Sequence, residues 1–274
     1  MENTIENKDV FEFNAEKHYY TLNGKRLYGV TTVLGVINKP ALIQWAANLA
    51  TARAFQLKAD KELVKYIESK EIIDSTTAKE IGEKFPEFNQ ARLAHRERAD
   101  AGAEAGTDTH ATIEEIVDTC IADFEGFMYL ENHEDVQVNN FVQWARENNV
   151  QFLFSELKLY SRNIWVAGTC DLVFKIGDKT FVGDVKTTNA IWDRTPFMQT
   201  AAYELMLKET YPDITVNGRC IIRLGKDGSF EVMYSYSDLD KEGFLSALSL
   251  FKVLEVPISE KQKHIKKAKY KKKK

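Results

Sequence analysis

From residue 151 onward, hydrophobic and polar positions alternate with a period of two in three successive stretches, FLFSELKLYS, NIWVAGTCDLVFKI and KTFVGDVKT. That period places neighbouring side chains on opposite faces of a strand, so three consecutive strands are predicted, with Gly177-Asp178 turning the second into the third. A helix is predicted over 196–211, then strands over 218–224 and 229–236 joined by residues 225–228, then a closing helix over 237–254. Upstream, residues 18–22 and 25–30 flank Asn23-Gly24, a hairpin turn that needs positive φ at both central residues. Thr31 or Thr32 is expected to cap a short helix, VLGVIN, and Pro40 to start a longer one with Leu42, Trp45, Ala46 and Leu49 along one side. Further helices are predicted over 61–69, 75–85 and 88–103, interrupted at Asp74 and Pro86. Residues 104–121 are expected to turn helical after Gly106 or Thr107, with Asp108 or Thr109 as cap and Ile113, Ile116 and Val117 as the buried stripe; 136–148 is another amphipathic helix.

Helices followed by β-β-β-α-β-β-α predict an α/β domain with a mixed sheet and a helical N-terminal elaboration. The expected division is a hairpin and helical region packed on the core over 1–103, the core over 104–256, and a Lys-rich disordered tail over 257–274. With 274 residues, 44% of them hydrophobic, the chain can bury a sizeable core. No apolar run approaches the roughly 18 residues of a membrane span, and the opening MENTIENKDVFEFN is polar, so neither a span nor a secretory signal is expected, and the cytoplasm is the expected compartment. Cys120, Cys170 and Cys220 lie far apart with no C-x-x-C, which predicts packed or free thiols and excludes a zinc knuckle. The net charge of −4 is unevenly spread: nine Lys fall in the last fourteen residues, leaving the first 260 at −13. Such a tail is either a tether to a polyanion or a solubilising end. The chain has no G-x-x-x-x-G-K-[ST] loop, so it carries no ATP motor.

The candidate chemistry lies in the predicted hairpin. Asp184 and Lys186 are two apart on one strand and share a face, while Val185 points the other way. Asp171 precedes Asp184 by thirteen residues, the spacing that brings two acids side by side across a hairpin. Adjacent carboxylates repel unless a cation lies between them, and Mg²⁺ takes one or two carboxylates while keeping several waters. Gln199 and Tyr203, four apart on the following helix, face one way. Taken without the hairpin, that pair reads as the edge of an ordinary amphipathic helix with Phe197, Ala201 and Leu205 in the core.

Taken in order, Gly106-x-x-x-His110, Gly168-x-x-Asp171, Asp184-Val185-Lys186 and Gln199-x-x-x-Tyr203 resemble the PD-(D/E)XK nuclease superfamily, in its RecB-like branch. The early VTTVLGVINKPALIQWA resembles the opening of phage RecB-like exonucleases and of the mitochondrial genome maintenance exonuclease. The superfamily's proline is absent before Asp171, where Thr169-Cys170 stands, as is common in this branch. The resemblance implies a restriction-endonuclease-like mixed central sheet flanked by helices. It further implies Mg²⁺ or Mn²⁺ held by Asp171, Asp184, the Val185 carbonyl and His110, with Lys186 orienting water and neutralising charge on the phosphate. Gln199 and Tyr203 would support Lys186. Some relatives carry an iron-sulfur cluster on four Cys, which three scattered Cys cannot reproduce.

Around this set, Glu114 lies one turn after His110 and is either an outer partner of the imidazole or a solvated acid. Glu156 matches an acid often found in the preceding strand of the family; it reaches the metal through water or pairs with Lys158 or Lys175. Arg162, Trp165, Thr187, Arg194 and Arg223 are the candidate DNA contacts, and Tyr160, Trp192 and Phe197 are either core or stacking surfaces. The implied function is a metal-dependent DNA exonuclease preferring single strands or duplex ends, phage-encoded, acting in replication, recombination or degradation, in company with a recombination or single-strand-binding protein. The alternatives are a catalytically weak nucleic-acid-binding partner protein and a structure-specific endonuclease.

Overall fold

The computed structural model describes residues 9–37, 40–57, 61–69 and 75–255; the predicted Lys-rich tail lies outside them. In chain order these form β1 (Phe11–Asn14), β2 (Tyr19–Leu22), β3 (Lys25–Arg26), β4 (Tyr28–Gly29), α1 (Val30–Leu34), α2 (Pro40–Leu57), α3 (Lys61–Glu68), α4 (Ser75–Lys84), α5 (Glu87–Ala122), α6 (Phe124–Met128) and α7 (Val136–Glu147). The alternating stretches follow as β5 (Gln151–Ser161), β6 (Val166–Ile176) and β7 (Lys179–Lys186), then α8 (Thr195–Thr210), β8 (Gly218–Leu224), β9 (Phe230–Ser235) and α9 (Leu239–Glu255). No helix among the described residues is long and apolar enough to cross a membrane.

The chain divides into two compact units, one of Met1–Ile37 with Thr109–Lys274 and the other of Asn38–Asp108. This differs from the expected boundary at 103: the N-terminal hairpin belongs with the core, because β4 pairs in parallel with β6, Tyr28 opposite Val166 and Gly29 opposite Ala167. In the second unit α2 carries Leu42 and Trp45, two of the four residues expected along one side, exposed, while Ala46 and Leu49 are half-buried.

In the first unit β1, β2 and β3 form an antiparallel sheet, and a mixed sheet runs β4-β6-β7-β8-β9 with β5 on the other edge of β6. The fold is α/β, as expected. Asn23 and Gly24 take φ of 52° and 73°, as the hairpin turn demands. Leu27 breaks the predicted second hairpin strand in two; it is buried and its N–H donates to Tyr20 O, so β3 and β4 go to different sheets.

Each face of the mixed sheet is covered by helices. Ile113 and Val117 of α5 and Phe141 and Val142 of α7 pack on Phe174, Phe181, Val185 and Ile222. On the opposite face Val33 of α1, Met206 and Leu207 of α8 and Phe244 of α9 pack on Leu159, Val173 and Val182. Strands covered on both faces need apolar side chains on both, and Asp184 is therefore an exception that calls for partners.

Two local expectations are corrected, and two short elements were not foreseen. Neither Thr31 nor Thr32 caps α1, which starts at Val30 behind Gly29 with no side-chain cap. Residues 88–103 and 104–121 are one continuous helix, and Asp108 and Thr109 lie inside it. β1 and α6 were not predicted, being short elements of four and five residues.

A buried ionic network fastens α8, β8 and α9 together. Asp240, fully buried, accepts from Arg219 Nε at 3.2 Å, from Arg194 Nη2 at 2.6 Å and from the Ser235 hydroxyl, while Arg219 also pairs with Glu204. Replacing one partner strands a buried charge, which typically costs about 3–5 kcal/mol. Asp240→Ala is expected to lower unfolding free energy by that amount in urea titration, and a loss below about 1 kcal/mol would show that the network is not holding these elements.

Candidate active site

The site is made by a place where two strands part. β6 and β7 pair from Ile176–Lys179 as far as Leu172–Gly183, and there the ladder ends. β7 continues alongside β8, with Asp184 opposite Ile221 and Lys186 opposite Arg223. At its other end the same edge of β6 is taken by β4, at Val166 and Ala167. Residues 168–171 thus lie in a gap between β4 and β7, and Asp171 and Asp184 stand on either side of the fork.

The backbone amide left free by the parting is satisfied by a side chain: Val185 N–H donates to Asp171 Oδ2 at 2.9 Å. Val185 itself is buried on the α5–α7 side, so Asp184 and Lys186 project toward α8. There Lys186 Nζ donates to Asp184 Oδ1 at 2.8 Å and lies 2.6 Å from Oδ2. Gln199 Nε2 donates to the same Oδ1 at 2.9 Å and lies 3.1 Å from the Tyr203 hydroxyl, while Lys186 Nζ reaches Gln199 Oε1 at 3.3 Å. Gly168 makes room for this arrangement, because a Cβ there would lie 2.8 Å from the Tyr203 ring. From α5, His110 Nδ1 approaches Asp171 Oδ2 to 3.9 Å. The structure thus brings together His110, Asp171, Asp184, Lys186, Gln199 and Tyr203.

Burial dominates the electrostatics. It pushes the carboxyls of Asp171 and Asp184 up to about 6, against the pull of Lys186. Burial alone would lower the Lys186 ammonium, but the two carboxylates outweigh it and hold its pKa above the ordinary value. The His110 imidazole is lowered, chiefly by burial and also by Lys186, with Asp184 and the Val185 backbone opposing. Glu156 is raised by burial and by its neighbour Glu114. It stands between the pairs Ser155–Leu172 and Leu157–Cys170, opposite Asp171, at a φ of 45° that is rare for a non-glycine residue. Glu114 is exposed.

The residues fit a hard divalent cation in donor type and charge. Asp184 Oδ2 is buried with the Lys186 ammonium as its contact, and two raised carboxyls would ionise fully beside added positive charge. Among the described residues no three His, Cys, Asp or Glu side chains converge on one point, and Mg²⁺ needs no more than one or two carboxylates with water.

The predicted DNA contacts fare differently. Arg223 is buried, donating to Glu231 at 3.0 Å, to Ser229 Oγ at 2.9 Å and to the Thr188 and Asn189 carbonyls, so it braces the loop after β7 instead of facing a phosphate. Arg194 is committed to Asp240 and Arg162 to Asp9, the latter at the far end of β6 from the fork. Trp165 Nε1 donates to Arg26 O at 3.0 Å and serves to tie the hairpin to the sheet. Thr187 is half-buried directly after β7, next to Lys186. Unforeseen was a cleft of about 620 Å³ that opens beside Gly168 and Tyr203, with Tyr19, Arg26, Glu156 and Lys158 in its wall. Its hairpin side comes from residues far upstream, joined to the site by the two-residue pairing of β4.

No protein-family model and no curated protein matches the chain. Among solved structures it is similar to the crystal structure of SSO0001, at 12% identity and a TM-score of 0.30, over 44% of this chain and 57% of that one. A likeness at this level carries no argument about function.

Two measurements check the geometry. Because the Asp171 carboxyl is raised above its unfolded value, the folded protein holds that proton more tightly, and stability is lost as pH rises through about 4 to 6. The stability of metal-free wild type relative to Asp171→Asn is expected to fall by up to about 2–3 kcal/mol across that window, and a flat difference would contradict the burial. Gly168→Ala is expected to displace the Tyr203 ring and cost about 1–3 kcal/mol, with the Tyr203 environment read by its ultraviolet absorbance.

Proposed function

We propose that this protein is a metal-dependent nuclease that hydrolyses phosphodiester bonds in DNA, as an exonuclease acting on single strands or duplex ends. The observation that carries this reading is the fork, where Asp171, Asp184, Lys186 and Gln199 meet in the order and spacing that resemble RecB-like nucleases. The mixed sheet with helices on both faces is compatible with a restriction-endonuclease-like core. Asp171 and Asp184 would hold Mg²⁺ or Mn²⁺ together with water, and the resemblance adds the Val185 carbonyl and His110 as further ligands. Such an ion supplies hydroxide near neutral pH and polarises the phosphate.

The chain's own groups prepare that chemistry. Lys186, held as an ammonium by two carboxylates, presents fixed positive charge where a phosphate gains negative charge, and preorganised charge of this kind is worth most in a site shielded from water. Gln199 bonds both Lys186 and Asp184, fixing their separation, and Tyr203 holds the Gln199 amide from one helical turn away. His110, with its pKa lowered, is neutral near pH 7 and keeps a lone pair available for an ion.

Purified protein with Mg²⁺ or Mn²⁺ is expected to degrade end-labelled single-stranded DNA, with Asp184→Ala and Lys186→Ala each reducing the rate by about 10²–10³ or more. Degradation that persists in Asp184→Ala sinks the proposal. A closed circular single strand should remain whole; its cleavage would favour the endonuclease alternative. Independently of activity, Mn²⁺ at a hundred times its Kd should stabilise wild type by about 2.7 kcal/mol and leave the doubly substituted D171N/D184N protein unmoved.

A further inference from the structure

The cleft beside the fork has a polarity of its own. At one end stand Glu156, opposite Asp171, and Glu114. Two residues along β5, Lys158 pairs with Thr169, which lies about 7 Å up β6 from Asp171, a distance that one extended nucleotide spans. Beyond it the hairpin supplies Arg26 and Tyr19. Arg26 and Lys158 form no ion pair among the described residues, in a chain whose first 260 residues carry −13. Each cation lies over an aromatic ring: the Arg26 guanidinium is 5.1 Å from the Tyr19 centroid and Lys158 Nζ 5.8 Å from that of Phe13. Each ring attracts its cation without neutralising it, and Lys158 also acts on Glu156 two residues back along β5. The wall is tied to the floor, since the Tyr20 hydroxyl and Thr169 Oγ1 lie 2.8 Å apart.

We propose that this cleft is the channel for the strand adjoining the bond to be cut, with Arg26 and Lys158 on its phosphates and Tyr19 against a base. The inference rests on the nuclease reading for the meaning of the acidic end, but binding in the cleft is testable without cleavage. A volume of about 620 Å³ suits roughly one or two nucleotides. The aromatic wall selects an unpaired strand, because a base can stack on a side chain only when its own face is free.

The test uses metal-free full-length protein and fluorescent twelve-nucleotide oligodeoxythymidylate and oligouridylate, with anisotropy read over a salt series. R26A/K158A is expected to bind at least one of them tenfold or more weakly, and to lower the slope of log affinity against log salt by about 1.4, since two phosphates of the single strand would no longer be neutralised. K179A/K208A removes the same charge from exposed sites elsewhere and serves as the comparison. Tyr19→Ala should weaken binding by about 5- to 100-fold, with Tyr19→Phe restoring it. A 4-thiothymidine strand should photocrosslink to the peptide that carries Tyr19. Equal binding by R26A/K158A and K179A/K208A, with both folded by thermal melting, overturns the proposal. Wild type that degrades DNA while R26A/K158A binds normally defeats the channel alone; wild type that binds through Arg26 and Lys158 yet cleaves nothing with either metal defeats the nuclease alone.

Discussion

A carboxylate buried beneath a helix, Asp184, sets the terms for the rest of the core. Removing an ion from water costs several kcal/mol, so the fold must supply compensation at that point or protonate the group. It does some of each. Lys186 Nζ lies 2.8 Å from one Asp184 oxygen and 2.6 Å from the other, Gln199 adds a second donor to Oδ1, and burial still pushes the carboxyl up to about 6. A carboxyl raised in spite of an ammonium in contact with both its oxygens is a cost to stability of the kind found at functional sites.

The compensation depends on backbone geometry more than on charge. Had β6 and β7 stayed paired beyond Leu172–Gly183, the Val185 amide would have bonded across the ladder and Asp171 would have lost its backbone donor. The fork is held open from outside: β8 carries β7 onward in parallel, and β4 fills the edge of β6 just beyond the gap. Tyr203 packs into the space that Gly168 leaves on that strand. Helix α8 is fixed in turn by Arg194 at its start and by Glu204 on Arg219, so the network around Asp240 determines where Gln199 can reach.

Much of the fork was legible in the sequence because strand periodicity fixes which residues share a face. Asp184 and Lys186 had to project together, and the turn at Gly177-Asp178 had to return Asp184 near Asp171. Helical spacing put Gln199 and Tyr203 on one face of α8 and left open whether they met the fork or formed the helix's edge. What periodicity does not carry is the identity of distant partners. Arg223, Arg194 and Arg162 looked alike as cations near a motif, yet their carboxylates, Glu231, Asp240 and Asp9, come from a neighbouring strand, the last helix and the N-terminus. The parallel pairing of β4 is two residues long and has no sequence signature, so the hairpin's place beside the site was equally hidden.

This division among the cations bears on how an acidic chain could hold a polyanion. Arginines with carboxylate partners are spent on structure, since a paired guanidinium has less field left to offer a further anion. Burying Arg219 against Asp240 and Glu204, and Arg223 against Glu231, fixes the elements around the fork. Attraction must come from cations that the fold positions by means other than charge, and an aromatic face does this, because it orients an ammonium or guanidinium and leaves its charge intact. Arg26 and Lys158 lie against such faces, Lys158 on the strand next to Asp171 and Arg26 on the hairpin sheet. On the channel reading, a site of this design would draw a phosphate strand by a short, local field, in a chain whose first 260 residues otherwise carry −13 and would repel it.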